Sequence, residues 1–425
     1  MRSESDNKTS LLKSLGPGLI TGAADDDPSG IATYSQAGAQ FGTQLLWTTV
    51  LTIPLMIGIQ MISARIGWVT GRGVAANLQS HFPRPFGFFV VTLLVIANTV
   101  NLGADLSAMA AVLELLAGRS LYHVALVGFA LLSLALQIWM PFPRYAPLLK
   151  LLTLSLFAYV GVVLAVDIPW RHILHDTMLP RFGRDRDYWL TVAAVLGTTI
   201  SPYLFFWQAS QESEQRLQDG GLSPAEQTPN AARRGLRRIR IDTYVGMIFS
   251  NAIAFFIMLT TAMTLHAHGI DDVTSTQQAA DALRPIAGDA AYLMYALGVI
   301  GAGMLAVPVL AGSAAYAVAE TLRWPSGLSN KPAQARGFYA VLAGAVLVGV
   351  ALSFNEVDPV RELFWAAVLN GIIAVPIMIA LMLVIRRADI MGTFVARPRL
   401  NALGWLATAA MAAVVAGLAW ANWFG

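Results

Sequence analysis

The chain has 425 residues, 56 % of them hydrophobic and only 12 % charged, with a net charge of +3 and a mean hydropathy of +0.59. That composition excludes a soluble globular domain, and so small a net charge gives no sign of a nucleic-acid partner. No cysteine is present, which excludes disulfides and thiolate metal sites and leaves the redox compartment unread.

In chain order the apolar residues fall into eleven stretches, near 15–40, 44–68, 86–117, 121–140, 147–166, 188–211, 241–266, 288–320, 337–354, 360–386 and 402–422. Stretches of about 20 residues suit a bilayer core of roughly 30 Å, so the pattern predicts an all-α integral membrane protein with one transporter domain over 1–425. The N-terminus is polar and its first apolar run is interrupted by acids, unlike a cleavable signal peptide. Lys and Arg concentrate on alternate loops: Arg2, Lys8 and Lys13, then Arg65 and Arg72, then Arg144 and Lys150, then the basic run 233–240. This bias places the N-terminus in the cytoplasm and the C-terminus outside a plasma (inner) membrane. The 233–240 run reads as a juxtamembrane anchor of that topology rather than a nucleic-acid contact.

The first stretch carries Ala23-Ala-Asp-Asp-Asp-Pro-Ser-Gly30 at its middle, and neither flank is long enough to span alone. A charge at bilayer depth costs roughly 2.5–3.5 kcal/mol on insertion scales, so it normally faces a cavity, a partner or a ligand. Pro28 and Gly30 interrupt the helical hydrogen-bond ladder, which a membrane tolerates only where the freed backbone lines a cavity. In a continuous helix Asp25, Asp26 and Asp27 would point about 100° apart and could not share one ion. The sixth stretch is broken too: Val195-Leu-Gly-Thr-Thr-Ile-Ser-Pro-Tyr203 puts Pro202 at mid-span. Two broken helices five spans apart predict an inverted five-plus-five repeat with a cation site between the breaks. The repeats would cover about 15–166 and 188–386, with an extra span at 402–422. Two unrelated proline kinks are the plainer alternative.

Gly16-Pro-Gly, Asp27-Pro28, Gln36-Ala-Gly-Ala, Arg65-Ile-Gly with Thr70-Gly, Ala104-Asp-Leu and Ser250-Asn-Ala-Ile together resemble NRAMP-type divalent-metal transporters. The resemblance covers spans one to eight and weakens beyond. It implies the LeuT-type fold, eleven spans and alternating access. The family's Asp-Pro-Gly-Asn appears here as Asp27-Pro28-Ser29-Gly30, and its Met-Pro-His as Ser201-Pro202-Tyr203. By that resemblance Asp27 is the metal-binding carboxylate, Ala24 and Thr198 offer carbonyls, and Gly30 and Ser201 replace the Asn and Met ligands. Asp105 matches the family's third-span acid, while the Glu three residues on is Ala108. NRAMP-related magnesium transporters are similar in lacking the methionine.

The residues themselves point the same way. Thioether sulfur suits soft metals, whereas carboxylate, carbonyl, hydroxyl and water suit Mg²⁺, Ca²⁺ and Mn²⁺. Loss of the Asn at Gly30 is expected to leave room for water, and Mg²⁺ keeps several. Asp26 is expected as an outer acid, with Asp25 undecided. Tyr203 and Asp105 are expected on the pathway, and Gln208 either hydrating the exit or simply packing. Asn101 and Asn370 are open between ligand and interhelical bond. Glu212 and Glu214 read as a solvated mouth, Glu320 with Arg323 as a helix-end pair, and Trp170, Trp189, Trp324, Trp420 and Trp423 as interfacial anchors.

The reading is therefore a secondary transporter of a hard divalent cation with little proton coupling. The alternatives are a metal-independent solute carrier on the same fold, or a channel or sensor. A membrane enzyme using Mg²⁺ on a diphosphate would want a second acidic motif and basic groups at depth, and the chain offers neither. No catalytic residue and no cofactor is expected; the partners are the cation and the bilayer.

Overall fold

The computed structural model describes residues 16–424 apart from 119, 141–143, 145–150, 152–153, 219 and 355–356. Arg2, Lys8, Lys13, Lys150 and most of the first part of the fifth expected span lie outside them. Among the described residues there are helices and turns and no strand.

The first span is two half-helices, α1 (Pro17–Asp25) and α2 (Pro28–Phe41). Then come α3 (Leu46–Thr70), α4 (Arg84–Ala117), α5 (Tyr122–Trp139) and α6 (Phe157–Ala165). The sixth span is again two pieces, α7 (Arg186–Thr199) and α8 (Pro202–Gln218). After it run α9 (Pro229–Thr264), α10 (Ala291–Leu322), α11 (Arg336–Leu352), α12 (Pro359–Arg386) and α13 (Pro398–Phe424). Among the described residues eight helical runs are long and apolar enough to cross a membrane; α1–α2 and the shorter runs 154–165 and 336–352 fall at the remaining expected positions.

Proline alone does not break a helix here. Pro54, Pro308 and Pro376 sit inside continuous α3, α10 and α12. They follow Ile53, Val307 and Val375, whereas Pro28 follows Asp27 and Pro202 follows Ser201. A short polar side chain before proline supplies the hydrogen bonds that a broken turn loses, and proline itself suits the first helical position. The Asp27 carboxylate caps α2 through the Gly30 amide. The Ser201 hydroxyl donates back to the last carbonyls of α7.

The broken spans are held by close backbone crossings. A Cβ on Gly22 of α1 would fall on the Gly246 backbone of α9, and one on Gly197 of α7 on Ala367 and Gly371 of α12. Small residues at such crossings let membrane helices approach without a hydrophobic driving force. Asp242 of α9 tightens the first crossing, accepting from the Gly18 amide at 2.7 Å and the Leu19 amide at 3.0 Å. Gly16 at the head of α1 provides no side-chain cap of its own. α9 also begins twelve residues before the expected span at 241, so the basic 233–240 run is helical rather than a loop. Trp170, Trp324, Trp420 and Trp423 are exposed, while Trp189 is half-buried beside Gly417.

Candidate cation site at the two helix breaks

The α1 helix ends at Asp25, and Asp26 (φ −82°, ψ 48°) and Asp27 (φ −70°, ψ 171°) are non-helical. This unwinding separates the three carboxylates into two directions. Asp27 turns inward, where four donors meet it. Its Oδ1 accepts from Ser29 Oγ at 2.7 Å and the Gly30 amide at 2.8 Å; its Oδ2 accepts from Asn101 Nδ2 at 3.1 Å and the Tyr203 hydroxyl at 3.2 Å. The N-terminus of α2 adds a favourable dipole for the negative charge.

The second break faces it. Thr198 Oγ1 lies 3.4 Å from Ser29 Oγ, and the Tyr34 hydroxyl lies 2.9 Å from Thr199 Oγ1. Ser201 Oγ donates to Gly197 O at 2.9 Å and Thr198 O at 2.6 Å, and Tyr203 donates to Ala24 O at 3.0 Å. The two carbonyls implied as ligands thus each receive one hydrogen bond, and each keeps a second lone pair. Asn101 of α4 also donates to Asp105 Oδ2 at 3.3 Å, and Asn370 of α12 donates to Asn101 Oδ1 at 3.0 Å. Asp105 Oδ1 is buried with no hydrogen-bond partner among the described residues. Asp27, Ser201, Tyr203, Thr198 and Asp105 are all buried.

Asp25 and Asp26 turn instead toward α9, where Ser250 donates to Asp25 and, at 3.2 Å, to Asp26. Asp26 therefore shares a partner with Asp25 rather than with Asp27. Gln208 is buried, accepting from Gln60 and donating to Thr243 at 3.1 Å, which ties α8 to α3 and α9.

Three expectations need correction. Gly30 does not leave open room: a Cβ there would already sit 3.3 Å from Asp25 O, Thr198 Oγ1 and Tyr34 Cε2. Glu212 is not a solvated mouth; it is fully buried and ion-paired with Arg238, because α9 runs on past the membrane segment and brings that arginine alongside α8. Glu214 alone of the pair lines a cavity, of about 550 Å³, where Tyr316 donates to it. Glu320 does not pair with Arg323. It accepts from the Ala76 amide at 3.1 Å and Ser210 Oγ at 3.0 Å, while Arg323 takes the left-handed conformation (φ 58°) that ends α10.

Sequence reading quoted Ser29 and Ser250 only within motifs and gave them no role, and it passed over Asp242. Ser29 had a signal, since a serine just past an Asp-Pro cap can reach the capping carboxylate. Asp242 had only the uncapped Gly16-Pro17 start of α1. Among the described residues no three His, Asp or Glu side chains converge as a metal cage. What converges is one carboxylate ringed by neutral amide and hydroxyl donors, with the Ala24 and Thr198 carbonyls accepting from Tyr203 and Ser201 nearby.

Residues 18–421 match the Nramp family, described as natural resistance-associated macrophage protein-like. The divalent metal cation transporter MntH of Klebsiella pneumoniae subsp. pneumoniae is 28 % identical over 412 residues, 96 % of this chain and 92 % of that protein. The MntH of Deinococcus radiodurans is 25 % identical over 421 residues, 96 % of this chain and 90 % of its own length. Among solved structures, a mutant of the Eremococcus coleocola manganese transporter aligns with TM-score 0.75 at 16 % identity, covering 97 % of this chain and 87 % of that one. Mhp1, a nucleobase-cation-symport-1 family transporter, aligns with TM-score 0.57 at 13 % identity, covering 96 % and 92 %. These likenesses show the LeuT-type fold, with its five-plus-five inverted arrangement and an eleventh span. With the family matched over almost its whole length, this multi-pass membrane chain belongs to the Nramp family.

Proposed function

We propose that the chain is a secondary transporter that carries a divalent cation, preferentially a hard one such as Mg²⁺ or Mn²⁺, by alternating access. The observation that carries this is Asp27, one buried carboxylate at the junction of two helix breaks, ringed by neutral oxygen-bearing groups. The names of the MntH relatives and of the manganese transporter support the cargo class.

An entering ion takes the place of the donors on Asp27 Oδ2. The Asn101 amide and the Tyr203 phenol are neutral and can present oxygen once their N–H and O–H turn away. Ala24 O, Thr198 O and the Ser201 hydroxyl complete an all-oxygen set, and water supplies the rest, as suits Mg²⁺. Gly30 contributes through its amide to Asp27 rather than as a ligand. Asp105 and Asn370, both hydrogen-bonded to Asn101, sit behind Asp27 and orient that amide. From the site, Tyr203, Ser210 and Glu214 share one face of α8 and lead toward the cavity of about 550 Å³ that Glu214 and Glu320 line. Buried Trp207 closes that face against Tyr316, ring centroids 6.3 Å apart.

Repeats at about 15–166 and 188–386 rocking against one another, with the span at 402–422 outside them, fit the positions of the breaks. The Lys and Arg bias supports a cytoplasmic N-terminus. A metal-independent solute carrier is the second reading, favoured by the fact that Asp27 already has four donors. Purified protein in liposomes, with Mg²⁺, Mn²⁺, Ca²⁺ and Cd²⁺ uptake measured in parallel, separates the two. Mg²⁺ and Mn²⁺ should enter; uptake of none of the four leaves the solute carrier.

A further inference from the structure

At the end of the molecule where α9 begins, six arginines line one cavity of about 820 Å³. They are Arg65 on α3, Arg233, Arg237 and Arg240 on α9, Arg397 just before α13, and Arg399 within it. No carboxylate lines the cavity, and among the described residues none of the six has a carboxylate within ion-pairing distance. Their neighbour Arg238 is the contrast, because it turns to buried Glu212. Arg65 donates from Nη2 to Val395 O at 3.2 Å, yet its Nε is buried with no hydrogen-bond partner among the described residues, and it feels the like charge of Arg397. Two like charges 4 Å apart near a protein surface repel by about 4 kcal/mol, so a convergence of this kind calls for a counter-ion.

The walls are not only charged. Met61, Leu236 and Phe394 contribute apolar surface between the guanidinium groups. On α9 the face bearing Arg237 and Arg240 continues, at helical spacing, into Ile241, Tyr244, Val245 and Ile248, all exposed. A guanidinium-rich pocket that runs into an exposed apolar stripe matches a ligand with a phosphate at one end and hydrocarbon at the other. Arginine forks bind phosphate oxygens bidentately, and basic pockets between membrane helices take anionic lipid headgroups.

We propose that this cavity is a binding site for the phosphate headgroup of an anionic phospholipid, with the acyl chains lying along the exposed α9 stripe. Free phosphate has the charge but makes no use of the stripe, and zwitterionic lipid has the stripe but brings its own cation. The site is separate from Asp27 and stands whatever the transported solute proves to be.

The test is native mass spectrometry of the purified full chain after incubation with phosphatidylglycerol and phosphatidylcholine in equal amounts. Phosphatidylglycerol should be retained severalfold in preference, and Arg233→Gln/Arg237→Gln/Arg240→Gln should lose that preference. Thermal unfolding in nanodiscs runs alongside: phosphatidylglycerol should raise the melting temperature of the wild type and not of the triple variant. Should the triple variant not fold, Arg397→Gln/Arg399→Gln on the opposite wall should weaken retention in the same direction. Equal retention of the two lipids, or an undiminished preference in a folded variant, overturns the proposal. Retention of inorganic phosphate with no preference for phosphatidylglycerol also overturns it and leaves a free-anion site.

Discussion

The Tyr203 hydroxyl stands 3.2 Å from Asp27 Oδ2 and reaches Ala24 O at 3.0 Å, so one phenol joins the sixth-span break to both sides of the first. This position carries His in the family pattern. A phenol has a reference pKa of about 10 and an imidazole about 6.5, so nothing at residue 203 exchanges a proton near neutral pH by its ordinary chemistry. Cation movement should therefore follow its own gradient and the membrane potential. In liposomes holding a pH-sensitive dye, Mg²⁺ or Mn²⁺ entry should produce little acidification, and Tyr203→Phe should not change that. Acidification in step with cation uptake by the wild type would refute it.

Asp27→Asn should abolish divalent-cation binding while leaving the fold intact. The charge is lost, but Asn caps helices about as well as Asp. Its oxygen can still accept from Ser29 and the Gly30 amide, the two bonds that start α2. Calorimetry should show no Mg²⁺ or Mn²⁺ heat, with a thermal midpoint close to that of the wild type. Unchanged binding in the folded variant would favour the metal-independent carrier.

Asp242 gives a prediction about the scaffold. It holds the Gly18 and Leu19 amides at the head of α1, which has no cap of its own. Asp242→Ala strands buried donors, a loss of about 1–3 kcal/mol. Asp242→Asn keeps one acceptor and should lie between. Both should melt below the wild type in that order, and equal midpoints for all three would show that α1 is held by its glycine crossing alone.

What the sequence discloses depends on whether the cause is local. The two breaks were legible because Asp27-Pro28 and Ser201-Pro202 contain both the chain-breaker and the cap. Most of the spans were legible because each needs only length and hydropathy: among the described residues eight runs are long and apolar enough, and 154–165 and 336–352 are shorter. The partners of Asp25, Asp26 and Glu212 were not, since Ser250 lies 225 and 224 residues from the two aspartates and Arg238 meets Glu212 only because α9 is extended. Nor was the filled space at Gly30, which depends on how Tyr34 and Thr198 pack across the break. A missing side chain in sequence does not mean a void in structure.

That space decides the selectivity prediction. The Ser201 hydroxyl cannot offer the polarisable sulfur that lets a site prefer Cd²⁺ or Mn²⁺ over Mg²⁺, so the wild type should discriminate poorly and bind weakly. Ser201→Met supplies the sulfur and, by removing the hydroxyl, releases the Thr198 carbonyl toward the ion. The substitution removes the Ser201 bonds to the α7 carbonyls, but the crossing at Gly197 and the Tyr34–Thr199 and Tyr203–Ala24 bonds remain, so the break should persist. The ratio of Cd²⁺ to Mg²⁺ affinity should rise about tenfold or more, that is by at least 1.4 kcal/mol. Adding Gly30→Asn to restore the family's second oxygen ligand should not help. Its Cβ meets Asp25 O, Thr198 Oγ1 and Tyr34 Cε2 at 3.3 Å before the amide is placed. The double variant should melt lower than Ser201→Met and show no further gain in Cd²⁺ binding by calorimetry. Tight Cd²⁺ binding by the wild type, or no shift in Ser201→Met, would mean that Ser201 does not line a cation site.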